Sequence, residues 1–167
     1  MLKKVSKGSL LFELLIVTCV LCFLATASVV RLGFFDKFKL FAEFNSLYST
    51  FEYLRQAAIA DNRVYELIFD LKNNYYKYDG LCHFLPEGIK FGLLRENIIV
   101  PSNQSGILKK PITFLNNRAI FYPSGVISFG FVCLVDSKKA IMYCLSNGIS
   151  KISLIRKYKY DNTWVAI

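Results

Sequence analysis

Histidine is nearly missing from this sequence: His83 is the only one in 167 residues. A metal cage built on several imidazoles is excluded, and any acid–base pair using imidazole must use this one. His83 follows Cys82 in a short apolar stretch. Neighbours on a strand point to opposite faces, which argues against a nucleophile–base dyad and for a structural or surface histidine. No Cys-x-x-Cys is followed by a second pair, and no Cys/His cluster forms a zinc pattern. Asp70, Asp79 and Glu87 lack the spacing of a metal loop. No glycine-rich phosphate motif and no 20–50-residue repeat is present. The chain therefore shows no catalytic constellation, no metal site and no cofactor signature, and is not expected to be an enzyme. Acidic residues are also few, 12 against 21 basic ones, for a net charge of +9. A surface so charged suits anionic lipid, nucleic acid or an acidic partner. Ordinary solubility charge is the plainer reading.

What the chain has is apolar surface. Hydrophobic residues make up 54%, with 15 Phe and 10 Tyr, and the mean hydropathy is +0.37. This predicts a membrane segment beside a compact domain. The N-terminus, Met1 to Gly8, is basic and free of acids. From Leu14 to Val30 there is no charge, and Arg31 ends the run. With Leu10–Phe12 the segment is long enough for a bilayer core of about 20 helical residues. Lysines before it and a polar domain after it predict a cytoplasmic N-terminus. Three readings compete: a secretory signal cut after Ala25-Thr26-Ala27, an uncut anchor, or a short leader removed after Gly8. Glu13 favours the third. A carboxylate in an apolar helix is costly and marks function. After cleavage at Gly8 the new α-amine on Ser9 lies about one turn from Glu13. Glu13 can then pair with the α-amine of a neighbouring helix in a bundle.

The run Lys7-Gly8-Ser9-Leu10-Leu11-Phe12-Glu13-Leu14-Leu15-Ile16-Val17 resembles the class III signal of type IV pilins and type II secretion pseudopilins. That family has Gly before the scissile bond, Glu five positions after it, and an apolar helix following. Ser9 departs from the pattern, which usually has Phe there. The resemblance implies cleavage between Gly8 and Ser9 by a prepilin peptidase, methylation of Ser9, and assembly through Glu13.

Beyond the apolar run, Phe34, Phe38, Phe41, Tyr48, Phe51, Leu54 and Ala58 recur at helical steps, with Phe44 near the same face. Lys37, Lys39, Glu43, Glu52 and Arg55 fall largely outside it. This predicts an amphipathic helix lying against a β-domain. From Arg63 the period changes. Val64–Leu71 and Tyr75–Tyr78 flank Lys72-Asn73-Asn74 as a hairpin. Leu81–Leu85, Ile89–Leu94, Ile98–Val100, Ile112–Phe114, Ala119–Phe121, Val126–Val135, Ala140–Leu145 and Ile149–Ile155 are further strand candidates. Pro101 to Pro111 reads as an exposed loop. The predicted organisation is a leader over 1–8, a transmembrane helix over 9–32, an amphipathic helix over 33–61 and an antiparallel β-domain over 62–167. The predicted class is α+β and pilin-like: a long N-terminal helix, transmembrane then amphipathic, packed on an antiparallel sheet or sandwich. Leu54-Arg55-Gln56-Ala57-Ala58-Ile59, Leu85-Pro86-Glu87-Gly88-Ile89, Ile120 to Ile127 and Asn147-Gly148 resemble the H-type pseudopilin and T-type minor pilin domain. The resemblance implies a minor pseudopilin of a secretion pseudopilus or type IV pilus-like filament, partnered by other pilins or pseudopilins. It also implies a single-pass place in the inner membrane, with the domain in the periplasm.

Two features of the body bear on further chemistry. Lys151, Arg156, Lys157 and Lys159 interleave with Tyr158, Tyr160 and Trp164, a mixture able to grip nucleic acid. This makes a DNA-binding or surface-binding minor pilin the alternative function. The competing reading is a last strand with a solvated basic edge. Cys133 and Cys144 are symmetric about a turn at Ser137-Lys138-Lys139-Ala140, which predicts cross-strand neighbours. They form either a disulfide or two buried thiols, with Cys82 unpaired.

Overall fold

The computed structural model describes residues 7–31, 34–100, 106–136, 138, 141–148 and 154–167, with side chains from 10 to 24 and from 37 onward within those ranges. The chain divides into two units, Met1–Phe35 and Asp36–Ile167. Helix α1 spans Lys7–Arg31 and helix α2 spans Phe34–Ala60.

This corrects the expected architecture of one long N-terminal helix, transmembrane then amphipathic, packed on a sheet. The described residues hold two helices of 25 and 27 residues, and the body is sheet-rich, with several antiparallel sheets. Among the described residues, no helix is long and apolar enough to cross a membrane. The described side chains of α1 run from Leu10 to Leu24 and include Glu13. The single-pass inner-membrane placement, with a cytoplasmic N-terminus and a periplasmic domain, is therefore not supported.

The body is built of short strands: β1 Tyr65–Asp70, β2 Tyr75–Tyr78, β3 Leu81–Phe84, β4 Ile89–Phe91, β5 Ile98–Ile99, β6 Ile107–Leu108, β7 Arg118–Phe121, β8 Gly130–Asp136, β9 Met142–Asn147, β10 Ile155–Asp161 and β11 Thr163–Ala166. They pair in a four-stranded sheet of order β3-β2-β1-β7, a five-stranded sheet of order β11-β10-β9-β8-β4, and the small pair β5-β6. The predicted turn after β1 is held by Asp70, whose Oδ1 accepts from the Asn73 amide at 2.8 Å. Asn74, with φ of 58°, ties this turn to β4 by donating from Nδ2 to the Ile89 carbonyl at 2.6 Å. Two strands were not legible in the sequence: β6, within the stretch read as a loop, and β11. Ile112 makes only an isolated bridge, to Val132. The candidate strand Ile149–Ile155 lies mostly outside the described residues.

Helix α2 belongs to the core of the body. Leu40, Phe44, Leu47, Phe51, Leu54 and Ala58 are fully buried along it, at steps of three and four that trace one face. Phe38 and Phe41 of the predicted stripe are exposed. Phe38 is out of phase with the residues the sheets cover, and Phe41 lies at the edge of the covered face, its ring 5.7 Å from Tyr143. Phe51 packs on Phe69, Phe114 and Phe121, with ring centroids 6.3, 6.0 and 5.4 Å away. Strands β8 and β9 are buried along their whole length, because both faces of the five-stranded sheet are covered. One face joins the core containing α2, through Val132, Leu134 and Leu145. The other carries Phe131, Cys133, Val135, Met142 and Cys144 beneath Ile98 and Leu108 of β5 and β6. Gly130 is required where β8 begins, since a Cβ there would sit 2.4 Å from the Phe114 ring.

Candidate functional site

Glu13 stands on α1 with exposed neighbours at Leu10, Leu11, Phe12, Leu14, Leu15, Ile16 and Val17. Farther along, Val20, Leu21, Phe23 and Leu24 are exposed too. Consecutive residues point all round a helix, so the apolar surface of α1 is not a stripe but a full cylinder. Gly8 and Ser9 lie in the helical backbone four or five residues before Glu13, with side chains outside the description.

Cys133 and Cys144 are directly opposed in the β8–β9 register and are joined as a disulfide. The backbone explains the closeness. The Cys133 amide donates to the Pro111 carbonyl, and its carbonyl accepts from the Gly92 amide. Both groups face away from β9, so Cys133 and Cys144 form a non-hydrogen-bonded pair, the closer of the two kinds. Their Cα atoms are 4.1 Å apart. Cys19, Cys22 and Cys82 are free and exposed.

The basic C-terminal set is not one patch. Lys151 lies outside the described residues. Arg156 pairs with Ser146, whereas Lys157 and Lys159 pair with Leu145 and Tyr143. Alternation along β10 therefore sets Arg156 on the opposite face from the two lysines. Lys157 is engaged within the body, its Nζ 4.6 Å from the centre of the Tyr48 ring on α2. Two motifs quoted from the body do meet: Arg55 Nε donates to the Gly125 carbonyl at 3.2 Å, and the Ile59 side chain abuts Gly125. Gly125 has φ of +77° in the turn after β7, a conformation that favours glycine.

A polar seam between α2 and the β2–β3 hairpin was missed in the sequence. Glu43, expected outside the apolar face, is only 7% exposed, because it falls between Leu40, Phe44 and Leu47. His83 Nε2 lies 2.8 Å from its Oε1. The imidazole stacks on Tyr76 at 4.7 Å between centroids, and the Tyr76 hydroxyl bonds to Ser46 and Thr50. The signal was available once the stripe is phased on Leu40 and Leu47, since Glu43 lies three residues from one and four from the other. Cys82, beside His83, points to the other face of β3, so the seam has no thiol within its stack. Among the described residues no group of three or more His, Cys, Asp or Glu is placed to hold a metal ion.

Burial pushes the Tyr76 hydroxyl up to about 12, with the Glu43 carboxylate adding to it against the hydrogen bonds from Ser46 and Thr50. The folded state then keeps a proton that the unfolded chain loses near pH 10. The stability this contributes is whole below pH 10 and is lost as pH rises from there to about 12. Denaturant titrations at pH 9, 10.5 and 11.5 should show stability falling, and Tyr76→Phe should flatten that fall. An unchanged slope in the variant would remove Tyr76 as its source.

No protein-family model, no curated protein and no solved structure matches the chain.

Proposed function

We propose that this chain is a minor pseudopilin-like protein, a structural subunit of a pseudopilus or type IV pilus-like filament that buries α1 among the α1-type helices of sister subunits. The observation that carries the reading is the apolar cylinder of α1, exposed from Leu10 to Leu24 and interrupted by a single carboxylate, Glu13. A helix that is apolar all round is a buried helix in its working state. A packed bundle of such helices supplies both the apolar cover and, through a neighbour's α-amine, a counter-charge for Glu13. The Gly8–Glu13 spacing supports the same reading. The filament partners are other pilins or pseudopilins, and the processing partner is a prepilin peptidase.

Native Cys19 and Cys22, exposed on α1 and three residues apart, provide the probe. Treating producing cells with a short bismaleimide should crosslink the full-length chain to sister subunits, and Cys19→Ser/Cys22→Ser should remove those products. Glu13→Ala should cut the crosslinked yield at least tenfold at equal expression. Undiminished crosslinking in Glu13→Ala would end the role of Glu13, and absence of subunit crosslinks in the parent chain would end the filament reading.

A further inference from the structure

On the face of the five-stranded sheet turned away from α2, the β4–β5 connection and the β10–β11 hairpin enclose a cleft of about 510 Å³, within the size range of ligand pockets. Its apolar walls are the Tyr160 and Trp164 rings, set edge to face at 4.9 Å, together with Ile98 and Ile99. Its polar rim carries the Arg95 guanidinium, the Glu96 carboxylate, the Asn97 and Asn162 amides and the Thr163 hydroxyl.

The walls are tied to each other. Trp164 Nε1–H donates to the Ile99 carbonyl at 2.6 Å, and Arg95 donates to Asn162 Oδ1 at 3.3 Å. Asn97 and Asn162 both hold the left-handed conformation, with φ of 58° and 63°, so the rim amides sit on tight turns of otherwise short strands. A second cleft, of about 440 Å³, is lined by Leu93, Leu94, Lys109 and Pro111 and shares Arg95 and Glu96 with the first. The two clefts adjoin at that shared pair.

We propose that this site binds a neutral oligosaccharide. A pyranose offers an apolar C–H face, which suits an aromatic wall, and a ring of hydroxyls, which suits planar carboxylate, amide and guanidinium groups at a rim. Two adjoining clefts fit successive sugar units. Across the two clefts the charged residues are two cations, Arg95 and Lys109, and one anion, Glu96, a near balance in a chain that carries +9 as a whole. Glu96, common to both clefts, disfavours a nucleic-acid backbone there. The inference rests on the surface of the body and is independent of the filament reading.

Trp164 is the sole tryptophan of the chain, so its fluorescence reports this site alone. The full-length chain, dispersed in a sugar-free zwitterionic detergent, is titrated with chitotriose, cellotriose, maltotriose and a linear galactotriose, and separately with a fifteen-residue oligothymidylate. A saturable change in emission is expected with at least one trisaccharide and none with oligothymidylate. Asn162→Gly, which suits the left-handed turn, and Glu96→Ala should each weaken that response at least tenfold while leaving the far-ultraviolet circular dichroism unchanged. No saturable change with any of the four sugars overturns the proposal. So does a response that survives both variants, or one given by oligothymidylate instead of sugar.

Discussion

Phe51→Ala should destabilise the body by about 4 kcal/mol, whereas Phe38→Ala should stay within about 0.5 kcal/mol of the parent. The two residues are of one type, on one helix, and both belong to the stripe read from the sequence. Phe51 is 1% exposed and Phe38 is 63% exposed. Removing the Phe51 ring takes contacts from Phe69, Phe114 and Phe121 at once. Those residues come from β1, from the stretch before β7 and from β7 itself. The hole left by Ala would be walled by both neighbouring strands and the helix, so it would not collapse cheaply. Urea denaturation followed through Trp164 emission gives both values. Equal effects from the two substitutions would mean that α2 is rotated from the face described.

His83→Ala should cost about 2 kcal/mol, more than a half-exposed side chain would be expected to contribute through packing. His83 is 43% exposed, but its partner Glu43 is 7% exposed. Truncation takes the hydrogen-bond partner from a buried carboxylate, and the penalty is set by the group left behind. The double variant Glu43→Met/His83→Ala should therefore be more stable than His83→Ala alone, since both ends of the polar contact are then gone. The same denaturation measurement checks this. A double variant less stable than the single one would show that the seam works by packing of the imidazole on Tyr76 and not by relieving Glu43.

The β1–β2 hairpin illustrates what was local enough to read. Lys72-Asn73-Asn74 is a turn because Asn tolerates φ above zero and because Asp70 reaches the Asn73 amide, both matters of neighbouring residues. The opposition of Cys133 and Cys144 was legible for a similar reason: a regular hairpin makes register a count from the turn. The apolar character of α1 and the place of Glu13 within it are also properties of the chain by itself.

The face of α2 was not legible in this way. Phe38 and Phe41 satisfy helical spacing as well as Leu40 and Leu47 do, and only the sheets decide which set is covered. Burial of Glu43 followed from that choice, and so did its contact with His83, forty residues away in sequence. Strand β6 was hidden because two residues, Ile107 and Leu108, carry no period, and their strand character depends on pairing with Ile98 and Ile99 of β5. The separation of Arg156 from Lys157 and Lys159 needed the register of β10 on β9. The Trp164 cleft needed the approach of segments some 65 residues apart. By itself the sequence determined turns, hairpin register and the apolar nature of the two helices, because those depend on residues a few positions apart. The tertiary structure decided which helix face is buried, which charges share a surface and where clefts open, because those depend on non-local surfaces competing for the same apolar cover.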